Sequence, residues 1–170
     1  NSYSNIFVKH LKPDCFRTPK ELYVKTTQDP HKKQNYGFFI SILKLIYLVL
    51  DYVLGYFLIV KPLVRKNCLV IFDRYYYDIF VDRRRYRYGA PILFARLFSK
   101  LIPLPQKIFI LNASAEIIYK RKKEVSFDEL RRQRLDYLNL DKYFNNVVIL
   151  DASQSVSKLM KTIRKEIIDE

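Results

Sequence analysis

Leu69-Val70-Ile71-Phe72-Asp73-Arg74-Tyr75 is the stretch that decides the fold, because an apolar run ends in it at an acid and a base side by side. A strand this apolar is predicted to be buried on both faces, as the strands of parallel sheets are. Asp73 and Arg74 then emerge at its carboxyl end, where α/β sheets bind their ligands. A carboxylate there can orient a magnesium ion, and a guanidinium offers a planar fork for phosphate. The alternative interpretation is a plain ion pair at a strand end, since Asp-Arg dipeptides are common.

The charge balance of the chain predicts an anionic partner. The 170 residues carry 31 Lys and Arg against 17 Asp and Glu, which gives a formal net charge of +14. Phosphorylated small molecules, nucleic acid and anionic membranes all fit such a charge. The length suits a single domain with a real core, and the 49% share of hydrophobic residues argues against disorder.

The cysteine and histidine content indicates a reducing compartment and no metal cluster. Cys15 and Cys68 are too few for a disulfide framework, and no signal peptide opens the chain. We therefore expect a cytoplasmic protein. His10 and His31 lie 21 positions apart with no cysteine spacing to join them, so a zinc site is not expected.

The remaining pattern alternates strands with helices. Further strands are predicted at Asn5–Lys9, Lys107–Leu111 and Asn146–Leu150, and a polar stretch with three prolines, running to Gln34, is predicted as loop. Helices are predicted to start near Tyr75, at Ser114 and at Ser126, and an amphipathic helix is marked by Val156, Leu159, Met160, Ile163 and Ile167. This alternation predicts a parallel sheet with right-handed crossovers.

The segment Gly37–Val60 is apolar enough and long enough to suggest a membrane span. On a helix, however, Ser41, Lys44, Asp51 and Gly55 fall on one narrow stripe, and two charges in mid-segment are costly in lipid. We therefore predict a mostly buried helix of a soluble domain or a homodimer interface. A membrane-attached protein is the less favoured interpretation.

Two basic runs, Lys120–Lys123 and Arg131–Arg134, lie close together along the chain. Alone, such runs are typical of a solvated helix face. Here they lie between the predicted strands Lys107–Leu111 and Asn146–Leu150, which both follow the strand that ends in Asp73-Arg74. That order of parts is typical of a phosphoryl-transfer enzyme with an arginine-rich lid, here about 120–137. Such enzymes act by positioning and charge neutralisation.

As a set, these features resemble the thymidylate kinase-like branch of the P-loop nucleoside monophosphate kinases. The resemblance extends over nearly the whole chain and implies one domain, 1–170, with a three-layer α/β fold of a parallel sheet and flanking helices. It also implies ATP and Mg²⁺ as cofactors and a phosphorylated small molecule as acceptor. The segments that carry it are His10–Pro13, Leu69–Tyr75, Ile108–Glu116, Arg131–Tyr137 and Val148–Ala152.

Roles for individual residues follow from that resemblance. Asp73 would hold magnesium and activate the acceptor, and Arg74 would grip the acceptor's phosphate. Ala152 and Ser153 would lie near the base of the donor nucleotide. The lid candidates for the donor phosphates are Arg121, Arg131, Arg132 and Arg134. The further acceptor-binding candidates are His10, Lys12, Asp78, Asp82, Arg83 and Arg87.

The chain departs from this family in two ways. Its only glycines are Gly37, Gly55 and Gly89, so it has no Gly-x-x-x-x-Gly-Lys-Ser/Thr loop. In the family that loop follows a first strand at the centre of the sheet, so we expect that this strand is absent here. The acids and arginines after Asp73 also replace the usual thymine-recognition residues, which favours a sugar-like or otherwise hydroxylated acceptor.

A binding module without catalytic activity is the main alternative. Arg and Tyr interleave over 75–88, a pattern that suits base stacking and phosphate contact. We rank a nucleic-acid or polyanion partner lower, because Asp73, Asp78 and Asp82 share that segment and would repel a phosphate backbone.

Overall fold

The computed structural model describes residues 3–16, 34–121, 123 and 125–168. It has a mixed α/β architecture of short parallel strands and helices. The chain divides into two compact units, Ser2–Leu104 and Pro105–Glu170. Most of the stretch predicted as loop before Gln34 lies outside the described residues.

The unit Ser2–Leu104 is built on a pair of parallel strands, β1 and β2. They run in register from Asn5 opposite Cys68 to His10 opposite Asp73. A long helix, α1, continues through a π-helical turn at Tyr56–Val60 into α2 and leads to β2. The elements are β1 (Asn5–His10), α1 (Phe38–Gly55), α2 (Lys61–Arg65), β2 (Cys68–Asp73), α3 (Asp78–Val81) and α4 (Ile92–Ser99).

The unit Pro105–Glu170 is built on a second pair of parallel strands, β3 and β4. They run in register from Ile108 opposite Val147 to Asn112 opposite Asp151. The predicted capping at Ser126 is confirmed, because its Oγ accepts a hydrogen bond of 3.3 Å from the Glu129 amide. The elements are β3 (Ile108–Asn112), α5 (Ala115–Arg121), α6 (Phe127–Leu138), a 3₁₀ turn (Asn139–Lys142), β4 (Val147–Asp151) and α7 (Val156–Ile168).

One prediction about β2 is wrong. The apolar run was expected to be buried on both faces, yet Ile71 is 40% exposed. Its register partner Val8 and the neighbouring Ile6 are also exposed. Paired residues of parallel strands share a face, so one side of the β1–β2 pair is apolar and open. Within the described residues this sheet has two strands, and two strands cannot bury both of their faces by themselves.

Helix α1 turns its polar stripe inward. Ser41, Asp51 and Gly55 are buried. The Asp51 carboxylate accepts hydrogen bonds from the amides of Asp14 and Phe16, at 3.2 and 3.0 Å, and so holds the loop after β1. A Cβ added to Gly55 would collide with the Pro13 ring, so that close approach requires glycine here. By length and composition alone, the 28-residue helical run Phe38–Arg65 could cross a membrane, although about a third of its most apolar part is buried.

Candidate functional site at the carboxyl ends of the strands

The carboxyl ends of β1 and β2 bring His10 and Asp73 together. The two residues are register partners, and His10 Nδ1 lies 3.1 Å from a carboxylate oxygen of Asp73. Both side chains are open to solvent, that of Asp73 to 75%. The Asp73 carboxylate is therefore accessible to a ligand. It lies beside the His10 imidazole, which can donate a hydrogen bond to it.

Backbone strain follows both strands. Leu11 has φ of 67° and Arg74 has φ of 77°, which is the left-handed region that side chains with a Cβ rarely adopt. The Leu11 amide donates to the Asp73 carbonyl at 3.1 Å, and the Tyr52 hydroxyl donates to the Leu11 carbonyl. Strained non-glycine residues concentrate at binding sites, where the surrounding structure holds them.

Arg74 is directed toward α3, the helix that follows β2. Its Nη1 donates to a carboxylate oxygen of Asp78 at 2.7 Å, and the Tyr86 hydroxyl lies 3.5 Å from the same oxygen. Asp78 is buried, while about a third of the Arg74 side chain is exposed. This pair fixes the guanidinium near the end of β2, and the side chain keeps some exposure to solvent.

Lys12 is an internal residue. Its Nζ lies 3.2 Å from Asp51, 3.1 Å from Asp14 and 3.1 Å from the Tyr47 hydroxyl. Burial alone would lower the pKa of Lys12, but the hydrogen bonds to Tyr47 and Asp14 and the charge of Asp51 outweigh it. The pKa therefore lies above the ordinary value, and this lysine stays charged as an anchor for the loop after β1.

The arginine-rich segment after α3 has mixed surroundings. Asp82 is buried and accepts from the backbone and the side chain of Arg85. Arg83 is exposed. Arg87 lies over the Tyr36 ring, 3.9 Å from its centroid, and donates to the Tyr36 hydroxyl.

Lys44 is the second polar anchor of α1. Its Nζ donates to the Tyr86 carbonyl at 2.6 Å. Burial, together with the nearby charge of Arg87, lowers the pKa of Lys44 to about 8.

Tyrosines from 75 to 88 form much of the core behind the site. Tyr76 and Tyr88 donate to the carbonyls of Ala95 and Pro91. Burial raises the pKa of both hydroxyls. The buried members of this set are Tyr76, Tyr77, Tyr86 and Tyr88.

The second unit places Arg134 at the end of β3. Its Nε donates to the Asn112 side chain at 2.8 Å and to the Ala113 carbonyl at 2.7 Å. Arg132 forms ion pairs within α6, with Glu129 at 2.6 Å and with Asp136 at 2.5 Å. The remaining lid candidates, Arg121 and Arg131, are exposed.

The chain directly after β4 is hydrogen-bonded to the end of β3. The Ala152 amide donates to the Asn112 carbonyl at 2.7 Å. The Ser153 hydroxyl and amide both donate to Asp151, and these bonds, with one from Gln154, hold the pKa of Asp151 below its usual value. Hydrogen bonds from the Glu116 amide and from Ser114, and then the charges of Arg134 and Arg131, lower the pKa of Glu116.

Sequence reasoning missed two residues that shape these sites. Asp51 was assigned to a polar stripe but not to the loop that it holds, because nothing local links it to residues 14 and 16. Asn112 was passed over as a strand end, although a polar side chain directly after an apolar run is a usable signal.

The donor set at Asp73 fits a magnesium ion bound together with a phosphorylated ligand. Among residues 3–16, 34–121, 123 and 125–168, no group of three or more Asp, Glu, His or Cys side chains lies together to hold a metal. Magnesium needs less, since it usually takes one or two carboxylates and fills its shell with water and substrate phosphate. The exposed Asp73 offers one such carboxylate.

No protein-family model and no curated protein matches this chain.

Proposed function

We propose that this chain is part of a P-loop kinase of the thymidylate kinase-like type, a cytoplasmic enzyme that transfers a phosphoryl group from ATP to a phosphorylated small molecule. The observation that carries the proposal is the carboxyl end of β2. There an exposed carboxylate, Asp73, is followed at once by a backbone-strained arginine, Arg74, that is partly open to solvent.

The strand pairing supports the proposed fold. Among the described strands, β2 pairs with β1 and β3 pairs with β4, in two parallel sheets of two strands each. A family sheet with its first strand between β2 and β3 would leave these same two pairs when that strand is absent. We therefore propose that a further strand of the protein, which carries the phosphate-binding loop, pairs with the edge of β2 that faces away from β1.

In the proposed site, Arg74 binds the acceptor's phosphate from the end of β2, where about a third of its side chain is exposed. Asp73 orients the acceptor hydroxyl as a hydrogen-bond acceptor and takes part in holding the metal, while His10 fixes the rotamer of its carboxylate. When bound, magnesium ATP would supply the phosphoryl group and neutralise its charge. The lid arginines with the most freedom to reach the donor phosphates are the exposed Arg121 and Arg131.

The acceptor is a nucleoside monophosphate or a sugar-like phosphate. Asp78 and Asp82 are buried beside Arg74 and Arg85, so they act on the acceptor through these arginines. The polyanion-binding alternative needs exposed aromatic rings for base stacking. Burial of Tyr76, Tyr77, Tyr86 and Tyr88 therefore favours the kinase.

The test is phosphoryl transfer from radiolabelled ATP, measured on protein expressed from the complete coding region with a panel of sugar phosphates and nucleoside monophosphates. Asp73→Asn should lower kcat by orders of magnitude, and Arg74→Ala should chiefly raise KM for the acceptor. Asp141→Asn, an exposed acid outside the site, is the matched control and should keep the wild-type rate. Wild-type turnover by Asp73→Asn would contradict the assignment.

A further inference from the structure

Helix α4 and the turn that follows it expose leucines in a regular series. The leucines recur at intervals of four, four and three residues, and each is between 58% and 70% exposed: Leu93, Leu97, Leu101 and Leu104. Such intervals place side chains on one side of a helix, and backbone hydrogen bonds extend the turns of α4 as far as Ile102. We call the surface of these four leucines the α4 face.

The other side of α4 is fixed to its unit. Ala95 is fully buried, and its carbonyl accepts a hydrogen bond of 2.9 Å from the buried Tyr76 hydroxyl. Ile102 is buried as well, and the Phe94 ring contacts the Phe38 ring of α1, with centroids 5.6 Å apart. Because α4 is held by its inner side, the leucines of the α4 face stay directed outward.

Two cations border the leucines. Arg96 and Lys100 are exposed, and each directly precedes a leucine of the α4 face. Residues four apart are neighbours on a helix surface, so these two cations lie along one edge of the leucine series. The sequence 83–104 contains no acidic residue, whereas it contains six basic ones: Arg83, Arg84, Arg85, Arg87, Arg96 and Lys100. This segment therefore combines apolar and cationic groups without any opposing charge of its own.

We infer that the α4 face binds the surface of an anionic lipid bilayer. Helices that lie on membranes bury leucines at the boundary between headgroups and acyl chains, with lysine and arginine beside them. The long stems of Arg96 and Lys100 can lie along apolar surface while their charged ends reach lipid phosphates. The contact is peripheral, because α4 has only eight residues, far fewer than a membrane span needs. It places the protein at a membrane and does not depend on the proposed phosphoryl transfer.

Two other occupants fit the α4 face less well. Nucleic acid would pair with the cations but would leave the leucines in water. A second copy of the chain would cover the leucines, but a two-fold contact brings the same patch of each copy together. Arg96 and Lys100 would then face a surface of like charge, whereas an anionic leaflet attracts each of them.

Flotation of the 170-residue chain with lipid vesicles tests the inference. Vesicles of equal parts phosphatidylcholine and phosphatidylglycerol should carry the protein upward in a density gradient, and vesicles of phosphatidylcholine alone should carry less of it. Leu97→Gln combined with Leu101→Gln should weaken binding by more than about tenfold, because two apolar side chains are lost from the contact. Arg96→Gln combined with Lys100→Gln should weaken binding to the anionic vesicles by at least about fivefold.

Matched single changes elsewhere serve as controls. Leu135→Gln lies on α6 at a position that is 50% exposed, and Lys142→Gln lies at an exposed position before β4. Both controls should bind the anionic vesicles as the wild-type chain does. Circular dichroism establishes that each variant is folded.

Three results would overturn the inference. The first is a wild-type chain that does not float with the anionic vesicles. The second is flotation that the leucine variant leaves intact, or that is equally strong with phosphatidylcholine alone. The third is a chain that forms an oligomer in sedimentation equilibrium and loses this oligomer, but not its lipid binding, in the leucine variant. That result would assign the α4 face to a second copy.

Discussion

The two parallel strand pairs end in different ways. After β1 and β2 the chain is held by two buried carboxylates, Asp51 with Lys12 and Asp78 with Arg74. After β3 it is held by Arg134, which donates to Asn112 and Ala113, and after β4 by the exposed Asp151, which accepts from Ser153. Buried ionic contacts are costly to break, whereas exposed ones are worth little. The first pair therefore ends in a strained backbone held by buried carboxylates, whereas the contacts that follow the second pair involve groups nearer the surface.

The largest effect should come from Asp51→Asn. This change leaves the buried Lys12 charge with a weakened partner, and breaking a buried pair costs about 3–5 kcal/mol. Urea denaturation should show a lower free energy of unfolding, or no folded state for the Ser2–Leu104 unit. Asp141→Asn, at an exposed position, is the control and should change stability by less than about 0.5 kcal/mol. Equal effects of the two changes would remove the distinction between buried and exposed anchors.

Gly55→Ala should destabilise by about 1–3 kcal/mol, as overpacked positions do. The added methyl would collide with Pro13, which lies in the loop after β1. Gly37→Ala is the matched control, because a Cβ there meets nothing within 4 Å. A lower thermal midpoint for Gly55→Ala alone would show that α1 and this loop are in the contact described.

Lys44 should give unit Ser2–Leu104 a measurable pH dependence. Its pKa of about 8 in the folded chain lies below the usual value for lysine, so between about pH 8 and 10 the unfolded chain binds more protons. Stability should rise with pH across that window, by at most about 1.4 kcal/mol per pH unit. Lys44→Met should flatten this slope. Chemical denaturation at several pH values measures this pH dependence of stability. If Lys44→Met left the slope unchanged, the Lys44 amine would be solvated in the folded chain.

Arg132→Ala should have the smallest effect. Its contacts with Glu129 and Asp136 lie along one helix at the surface, where such pairs contribute about 0–1 kcal/mol. A thermal midpoint lowered as far as that of Gly55→Ala would contradict this, because it would show that these pairs stabilise α6 far more than exposed pairs do.

The sequence predicted the parts of this fold that depend on local pattern. All four strands lie within one residue of their predicted bounds, because each is a short apolar run that ends in polar residues. The Ser126 cap was predictable for the same reason. The long helix was predicted with its polar stripe, but the π-helical turn at Tyr56–Val60 was not, since no residue there signals it.

What depends on distant contacts could not be predicted. The loop after β1 is held by Asp51, which lies more than thirty residues further along the chain. The exposed face of β2 was missed because an apolar run indicates only that burial is favourable, not that a partner is present to provide it. Asp73 was found correctly at the end of its strand, whereas the inward orientation of Lys12 came only from the structure.

Amide hydrogen exchange along β2, followed by NMR, tests the central claim most directly. If the edge of β2 that faces away from β1 is open to a further strand, every other amide from Leu69 to Phe72 should exchange rapidly in the 170-residue chain. The amides that are bonded to β1 should stay protected. The same rapid amides should become protected in protein expressed from the complete coding region. Uniform protection along β2 in the 170-residue chain would contradict the account, because it would mean that the edge proposed for the missing strand is already covered.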